Sequence, residues 1–306
     1  MRALASPASL KGVLSAREAA RRVAEGFREG GAEAEELPIA DGGEGTAEVL
    51  GAAVREVVVV PDAFGRPREA PIRELSDGTA VVESAEVIPL DPDRLDPFAA
   101  SSRGLGELLG RVEADRVLVC LGGTANVDGG AGLLDVLPEL PAPTTVLCDA
   151  LVPLRDAARR FARQKGATTE QIGLFERRLA STHRLAPYAE LAGAGAAGGL
   201  GAALASLGAE LVPGAQEVLR RLDFRSRCRS ADLVVTGEGT VDQTTTTGKA
   251  PGEALRICRE EDVRCVVFGG RVEVELEGAE TVGLSGDPGR AAADLVALGR
   301  RLSGQA

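Results

Sequence analysis

The 306-residue chain predicts an α/β protein: a parallel-sheet domain built from both chain ends, with a second α/β domain inserted between them. Two observations carry this. Strand–loop–helix alternation fills the opening, gives way to hairpin-like spacing near Val54, and resumes after about residue 231. Apolar runs also empty directly into glycine-dense stretches that carry charged residues. The expected domains are therefore 1–54 with 231–306, and 55–230.

At the N-terminus, Arg2 to Pro7 reads as a strand, followed by a helix capped by Ser15 with Glu18 three residues on. Ala19, Val23 and Phe27 recur at helical spacing, and Gly30-Gly31 close the helix. Ala34 to Pro38 is a second strand, after which ADGGEGT opens a helix through Leu50. Arg55 to Pro61 begins the hairpin-like region, 87–97 reads as loop, and Gly104 to Val112 as helix. Arg116 to Leu121 and Thr145 to Cys148 are strands, with helices at 155–163 and 169–181. Gly193 to Leu207, nearly all Gly, Ala and Leu, is a helix packed closely against its neighbours. Leu233 to Val235 is an apolar strand ahead of TGEGTVDQTTTTGKAP; a helix at 252–261, strands at 265–268 and 281–284, and a helix at 290–302 complete the chain.

Composition narrows the chemistry. The net charge of −11 argues against a nucleic-acid or anionic-membrane surface, both of which need clustered Lys and Arg. Aromatic residues make up only 3% of the chain and Trp is absent, so stacking platforms for bases are scarce. Five cysteines without a C-x-x-C pair, together with the single His183, argue against a Cys/His metal site. They suit buried thiols in a reducing cytoplasm. With no long apolar segment, the sequence reads as a soluble, cytoplasmic protein.

Four glycine runs remain as candidates for chemistry: ADGGEGT from Ala40, GGTANVDGGAG from Gly122, GAGAAGGLG from Gly193 and TGEGTVDQTTTTGKAP from Thr236. Exposed backbone N–H groups in such loops form anion-binding concavities. Gly248-Lys249 is followed by Ala250 and residue 243 is Gln, so no P-loop is present. Gly193, Gly195 and Gly198 match a dinucleotide pattern but lack a clear preceding strand, which favours close helix packing or a ligand-facing turn. The other three runs place Asp41, Glu44, Asp128, Glu238, Asp242 and Lys249 beside glycines at strand ends. Carboxylates next to phosphate-cradling loops suit Mg²⁺, and lysine supplies a point charge for phosphate. Phosphoryl transfer needs these parts.

On these residues the chain resembles the bacterial two-domain glycerate kinases, which are unrelated to P-loop kinases. SPASLKGVLSA, PIADGGEGT, CLGGTANVDGGAG, LCDALVPL, ARQKGAT, GAGAAGGLG and ADLVVTGEGTVDQTTTTGKAP occur in the family's order from Ser6 to about Val272. The resemblance implies a Rossmann-like domain from both chain ends, and transfer of phosphate from ATP to glycerate or a similar small hydroxy acid. Ala8, Asn126, Val127, Val152, Thr240 and Thr244 depart from the family pattern, with apolar side chains at Ala8, Val127 and Val152 and the family's Arg lost at Thr240. A catalytically weak nucleotide- or metabolite-binding relative is therefore the rival reading.

The resemblance carries the following roles. Asp41, Asp149, Asp242 and Lys249 are the catalytic candidates. Lys11, Gly42, Gly43, Glu44, Gly122, Gly123, Thr124, Gly129, Lys165, Gly237 and Arg271 would bind substrate or nucleotide, with Arg271 on the substrate carboxylate. Asp128 and Glu238 would bind Mg²⁺, although the sequence leaves the division of labour among Asp41, Asp128, Asp149, Glu238 and Asp242 open. ATP, Mg²⁺ and a glycerate-like acid are the expected ligands, and a homodimer is compatible with the chain.

Overall fold

The computed structural model describes residues 1–304. Numbered along the chain, the strands are β1 (Arg2–Ala5), β2 (Glu33–Glu36), β3 (Ala53–Pro61), β4 (Pro67–Glu74) and β5 (Ala80–Glu83). They continue with β6 (Val117–Leu121), β7 (Thr144–Cys148), β8 (Glu210–Pro213), β9 (Leu233–Val241), β10 (Arg264–Val272) and β11 (Glu280–Gly283). Two compact units result: Met1–Asp41 together with the chain from Ala215 onward, and Gly42–Gly214.

In the first unit the sheet order is β2-β1-β9-β10-β11, with every neighbouring pair parallel. Its strands alternate between two covered faces. Ala3, Ala5, Leu233, Val235, Val266 and Phe268 pack under the helices Ala16–Glu29 and Ala291–Ser303. Leu4, Val234, Cys265 and Val267 face the opposite way, onto Leu219, Phe224, Leu255 and Cys258. Burial on both faces explains why these strands read as unbroken apolar runs rather than alternating ones. The Ser15 cap forms, its Oγ accepting from Glu18 N at 3.2 Å, while the Glu18 carboxylate pairs with Arg21 and Arg22.

The second unit has a mixed six-stranded sheet, β3-β4-β5-β6-β7-β8. The pairs β3–β4 and β4–β5 are antiparallel, and the remainder are parallel. Val58, Val60, Ile72, Val82 and Val119 build its core with Leu105, Leu108, Leu109 and Leu204. A further cluster of Val127, Leu154, Phe175, Leu179 and Leu185 lies among the helical segments of 154–206.

Several sequence-based boundaries move. The unit boundaries fall at 41/42 and 214/215 rather than 54/55 and 230/231. Residues 42–52 stay with the second unit because the buried Glu83 carboxylate accepts from Gly45 N at 3.0 Å and Ala47 N at 2.6 Å. The helix expected from ADGGEGT through Leu50 is accordingly one turn, Thr46–Val49. At the other crossing, Ala215, Leu219, Phe224 and Cys228 enter the first unit's core. The sequence also hid β8 and the helix Gly214–Arg221.

The largest difference concerns TGEGTV. It is not loop but the second half of β9, paired from Thr236↔Val267 through Val241↔Val272. Gly237 is therefore a strand residue, and a Cβ there would lie 2.2 Å from the Phe268 carbonyl oxygen. The helix expected from Gly193 forms as Ala196–Ser206, with left-handed backbone at Ala197, Gly198 and Gly199. Gly198 packs against the Asn126 carbonyl, where a Cβ would sit 2.2 Å away, so this run serves close packing.

The helices Ala16–Glu29 and Ala291–Ser303 cross at two glycines. A Cβ on Gly26 would lie 2.0 Å from the Val296 carbonyl oxygen, and one on Gly299 would lie 2.3 Å from that of Val23. An exposed mid-helix glycine gains about 0.5–1 kcal/mol on replacement by alanine. At Gly26 the sign reverses: Gly26→Ala is expected to lower unfolding free energy by about 1–3 kcal/mol, as overpacked cores do. Urea denaturation measures this, and a gain in stability would refute the close crossing.

Candidate functional site

In a parallel sheet, backbone ladders deliver each strand's C-terminal end to one edge, and the chain leaves it in opposite directions where the strand order reverses. Within the first unit that reversal lies between β1 and β9. The β1–β9 pairing extends beyond the strand through Ser6 N to Val235 O at 2.7 Å and Ala8 N to Gly237 O at 2.9 Å. Leu10 and Leu14 then bond each other across a tight turn, with Leu10 buried. Lys11 is thereby placed in the turn itself.

A cavity of about 850 Å³ opens along this edge. Ala8–Lys11 line it after β1, Asp41 after β2, Glu238–Thr240 on β9, Gly270–Val272 on β10, and Gly283, Leu284, Asp287, Pro288, Ala291 and Asp294 after β11. Lys249, Ala250 and Pro251 contribute the N-terminus of the helix Ala250–Glu260. Pro251 suits that position because it removes no intrahelical bond. The backbone N–H groups there, and the helix dipole, favour an anion.

Charges inside the cavity are coupled. Lys249 Nζ lies 3.0 Å from Glu238 Oε2 and 3.8 Å from Asp242 Oδ1. Thr245 Oγ1 donates to Glu238 Oε1 at 2.8 Å, and Thr244 N donates to Asp242 Oδ1 at 2.7 Å. Burial raises the Glu238 carboxyl above its usual range, against the pull of the Lys249 ammonium. Hydrogen bonding from Thr244 holds Asp242 below its usual range. Among the described residues no group of three or more His, Cys, Asp or Glu side chains is arranged as a metal cage. Glu238 and Asp242 instead fit the ligand set that Mg²⁺ takes when phosphate oxygens complete its shell.

The second unit gathers the other predicted residues. Gly42 has a φ of +94°, and a Cβ there would lie 2.6 Å from Gly214 Cα, so only glycine fits. Gly122 touches Asp149 and Gly43: its Cβ would lie 2.6 Å from Asp149 Oδ2 and 3.1 Å from Gly43 Cα. Gly123 lies similarly near Glu44, 3.6 Å from Oε2. Ser84 Oγ fixes the loop by donating to Gly122 O and accepting from Gly122 N.

Lys165 is fully buried and donates to Asn126 O at 2.7 Å and Thr124 Oγ1 at 3.3 Å. Burial pulls its pKa down to about 8, opposed by the charges of Asp149 and Asp128. Asp128 departs from the metal role expected of it. Its Oδ2 accepts from Ser102 N, Ser102 Oγ and Gly132 N, and its Oδ1 from Asn126 Nδ2 and Gly130 N. Five internal donors occupy the carboxylate, which pins its own loop, Gly129 included, from within.

Thus Lys11, Asp41, Glu238, Lys249 and Arg271 share one cavity, with Asp242 beside it, while Glu44, Gly122, Gly123, Thr124, Asp149 and Lys165 cluster in the second unit. The sequence marks Thr244 and Asn126 only as departures from the family pattern and gives Thr245 and Ser102 no role; in the structure all four hold carboxylates. Sequence reasoning missed Val13, Leu284, Asp287 and Asp294. The five cysteines are buried and unbridged, and burial pushes Cys148 up to about 12, so a thiolate nucleophile is not offered there.

The chain matches the glycerate kinase family model over residues 3–139 and 140–287. It is 33% identical to the glycerate kinase of Bacillus subtilis (strain 168), over 89% of this chain and 85% of that protein. It is also 33% identical to the glycerate 2-kinase of Escherichia coli (strain K12), over 82% and 80%. A crystal structure of a protein assigned as glycerate kinase 2, from Salmonella typhimurium LT2, superposes with a TM-score of 0.79 at 29% identity, covering 100% of this chain and 98% of that one.

The buried Lys165 gives a pH signature of known sign. Its folded pKa of about 8 lies below the unfolded value of 10.5, so the unfolded chain binds more protons between those pH values. Stability therefore rises with pH across that window, and the penalty is fully present below it. Lys165→Met lacks the titration. Urea melts from pH 7 to 10 should show wild type gaining stability relative to this variant as pH rises; a flat difference would contradict the burial of an ionisable ammonium.

Proposed function

This chain belongs to the glycerate kinase family, and we propose that it transfers the γ-phosphoryl group of ATP to a hydroxyl of glycerate or a similar small hydroxy acid. The observation that carries the reading is the convergence of Lys11, Asp41, Glu238, Lys249 and Arg271 on one cavity at the reversal of strand order. Lys11 and Lys249 would neutralise phosphate charge, aided by the N-terminal N–H groups of the helix from Ala250. Glu238 and Asp242 would hold Mg²⁺. That ion, when bound, would lower the charge of the phosphate oxygens.

Lys249 is poised for exchange, because an incoming phosphate can compete with Glu238 for its ammonium. Asp41 would orient the attacking hydroxyl and take up its proton, and Arg271 would hold the acceptor's carboxylate by a bidentate pair. Lys165 would position the Thr124–Asn126 loop of the second unit, to which it donates two hydrogen bonds. Phosphoryl transfer works through such positioning and charge neutralisation. Five buried, unbridged thiols support a cytoplasmic location.

The decisive measurement is ADP formation from ATP and D-glycerate with Mg²⁺, followed by a screen of related hydroxy acids. ATP binding without turnover on any of them would favour a binding module instead. Lys249→Ala and Asp242→Asn are each expected to lower kcat/KM by about 100-fold or more, the size of effect seen when one preorganised electrostatic group is lost. Melting curves check that both variants fold. Near-normal turnover in both would remove these residues from the mechanism.

A further inference from the structure

The β11 end of the first unit's cavity takes no part in the chemistry above. Neighbouring strands are about 4.7–4.9 Å apart, so β1 and β11, three spacings apart in the sheet, are separated by roughly 14–15 Å along this edge. Lysines 11 and 249 stand at the β1 and β9 side of the cavity. The β11 side is lined by Leu284, Pro288 and Ala291, with Val13, 38% exposed, also on the wall. Its ionisable groups are Asp287 and Asp294. Arg290 lies 4.0 Å from Asp294 and offsets its charge, and Arg271 stands on the neighbouring β10. Asp287 is therefore the carboxylate that disfavours a phosphate here, whereas a neutral group with apolar faces and hydrogen-bond donors would be accepted.

The two aspartates differ. Asp294 Oδ2 accepts from Ser285 N and Oγ, which commits it to holding the loop. Asp287 accepts from Gly289 N through Oδ1 and is exposed, so its Oδ2 can serve a ligand. No aromatic side chain is among the residues lining the cavity. A base would therefore meet aliphatic walls, the backbone of Gly283, Leu284 and Gly286, and the charged side chains of Arg271, Asp287 and Asp294, with no aromatic ring or side-chain amide to select one purine.

We propose that this end of the cavity is a nucleoside subsite that selects the sugar, through Asp287 accepting from a ribose hydroxyl, and grips the base without strong selection. The proposal rests on the nucleotide reading above and deepens it. A carboxylate is the group that recognises ribose hydroxyls in dinucleotide-binding sheets as well. Loss of a hydrogen bond to a charged group is worth about tenfold or more in affinity.

The test compares ATP, GTP and ITP with 2′-deoxy-ATP and 3′-deoxy-ATP as phosphoryl donors, in wild type and in Asp287→Ala. Wild type should use GTP and ITP within about tenfold of ATP, and should use one of the two deoxy donors about tenfold less well than ATP. Asp287→Ala should lower kcat/KM for ATP about tenfold and bring ATP and that deoxy donor together. An ATP preference over GTP above about 100-fold, or an equal loss on all donors in the variant, would overturn the proposal.

Calorimetry separates this from failure of the parent reading. Tripolyphosphate and ATP should both bind, ATP more tightly, with Leu284→Ala weakening ATP and sparing tripolyphosphate. Equal affinity for the two would sink the nucleoside subsite alone. Binding of neither would sink both.

Discussion

The parallel pairing of β1 with β9 is the constraint on which the first unit depends. It joins Ala3, Leu4 and Ala5 to Leu233, Val234 and Val235, and Arg2 N donates to Asp232 across 230 residues of chain. Loop-closure entropy grows only with the logarithm of length, so an insertion of a whole unit between paired strands is tolerable. Without the pairing, both chain ends would be isolated βα fragments with exposed sheet edges. With it, strand order reverses at one point, and the turn carrying Lys11 and the end of β9 carrying Glu238 open into the same cavity.

Carboxylates in this protein serve two physical purposes, and burial alone does not tell them apart. Asp128 and Glu83 are both buried and hydrogen-bonded to backbone N–H groups, so they fix loops. Glu238 is paired with a lysine that reaches a second carboxylate as well. A saturated carboxylate has nothing left for a ligand, while a lysine shared between two acids can change partners. The departures from the family pattern fit this division. Thr244 now supplies a hydrogen bond to Asp242, and Asn126 supplies one to Asp128.

Much of the local structure was legible. The Ser15 cap, the helical spacing of Ala19, Val23 and Phe27, and the apolar runs at Val117 and Leu233 each reflect a rule acting within a few residues. The parallel sheet from both chain ends followed from their shared alternation. The second half of β9 was misread because Gly237, Glu238 and Gly239 have low strand preference. Pairing with β10 on one side overrides that preference. The unit boundaries were misread because the Glu83 bonds to Gly45 and Ala47 span nearly forty residues, with no local trace.

The sequence by itself determined most of the first unit's strands and helices, where the cavity's cationic and acidic groups sit along the chain, and that the chain would pack closely at glycines such as Gly42 and Gly198. These follow from short-range sterics and hydrophobic periodicity. Only the tertiary structure decided that Lys11, Asp41, Glu238, Lys249 and Arg271 share one cavity while Asp128 is spent on its own loop. Strand order also brought the β11 loop, with Leu284 and Asp287, to the far end of that cavity. The reason is physical: the partners of a charged group and the neighbours of a strand are fixed by residues remote in the chain, and no local pattern encodes them.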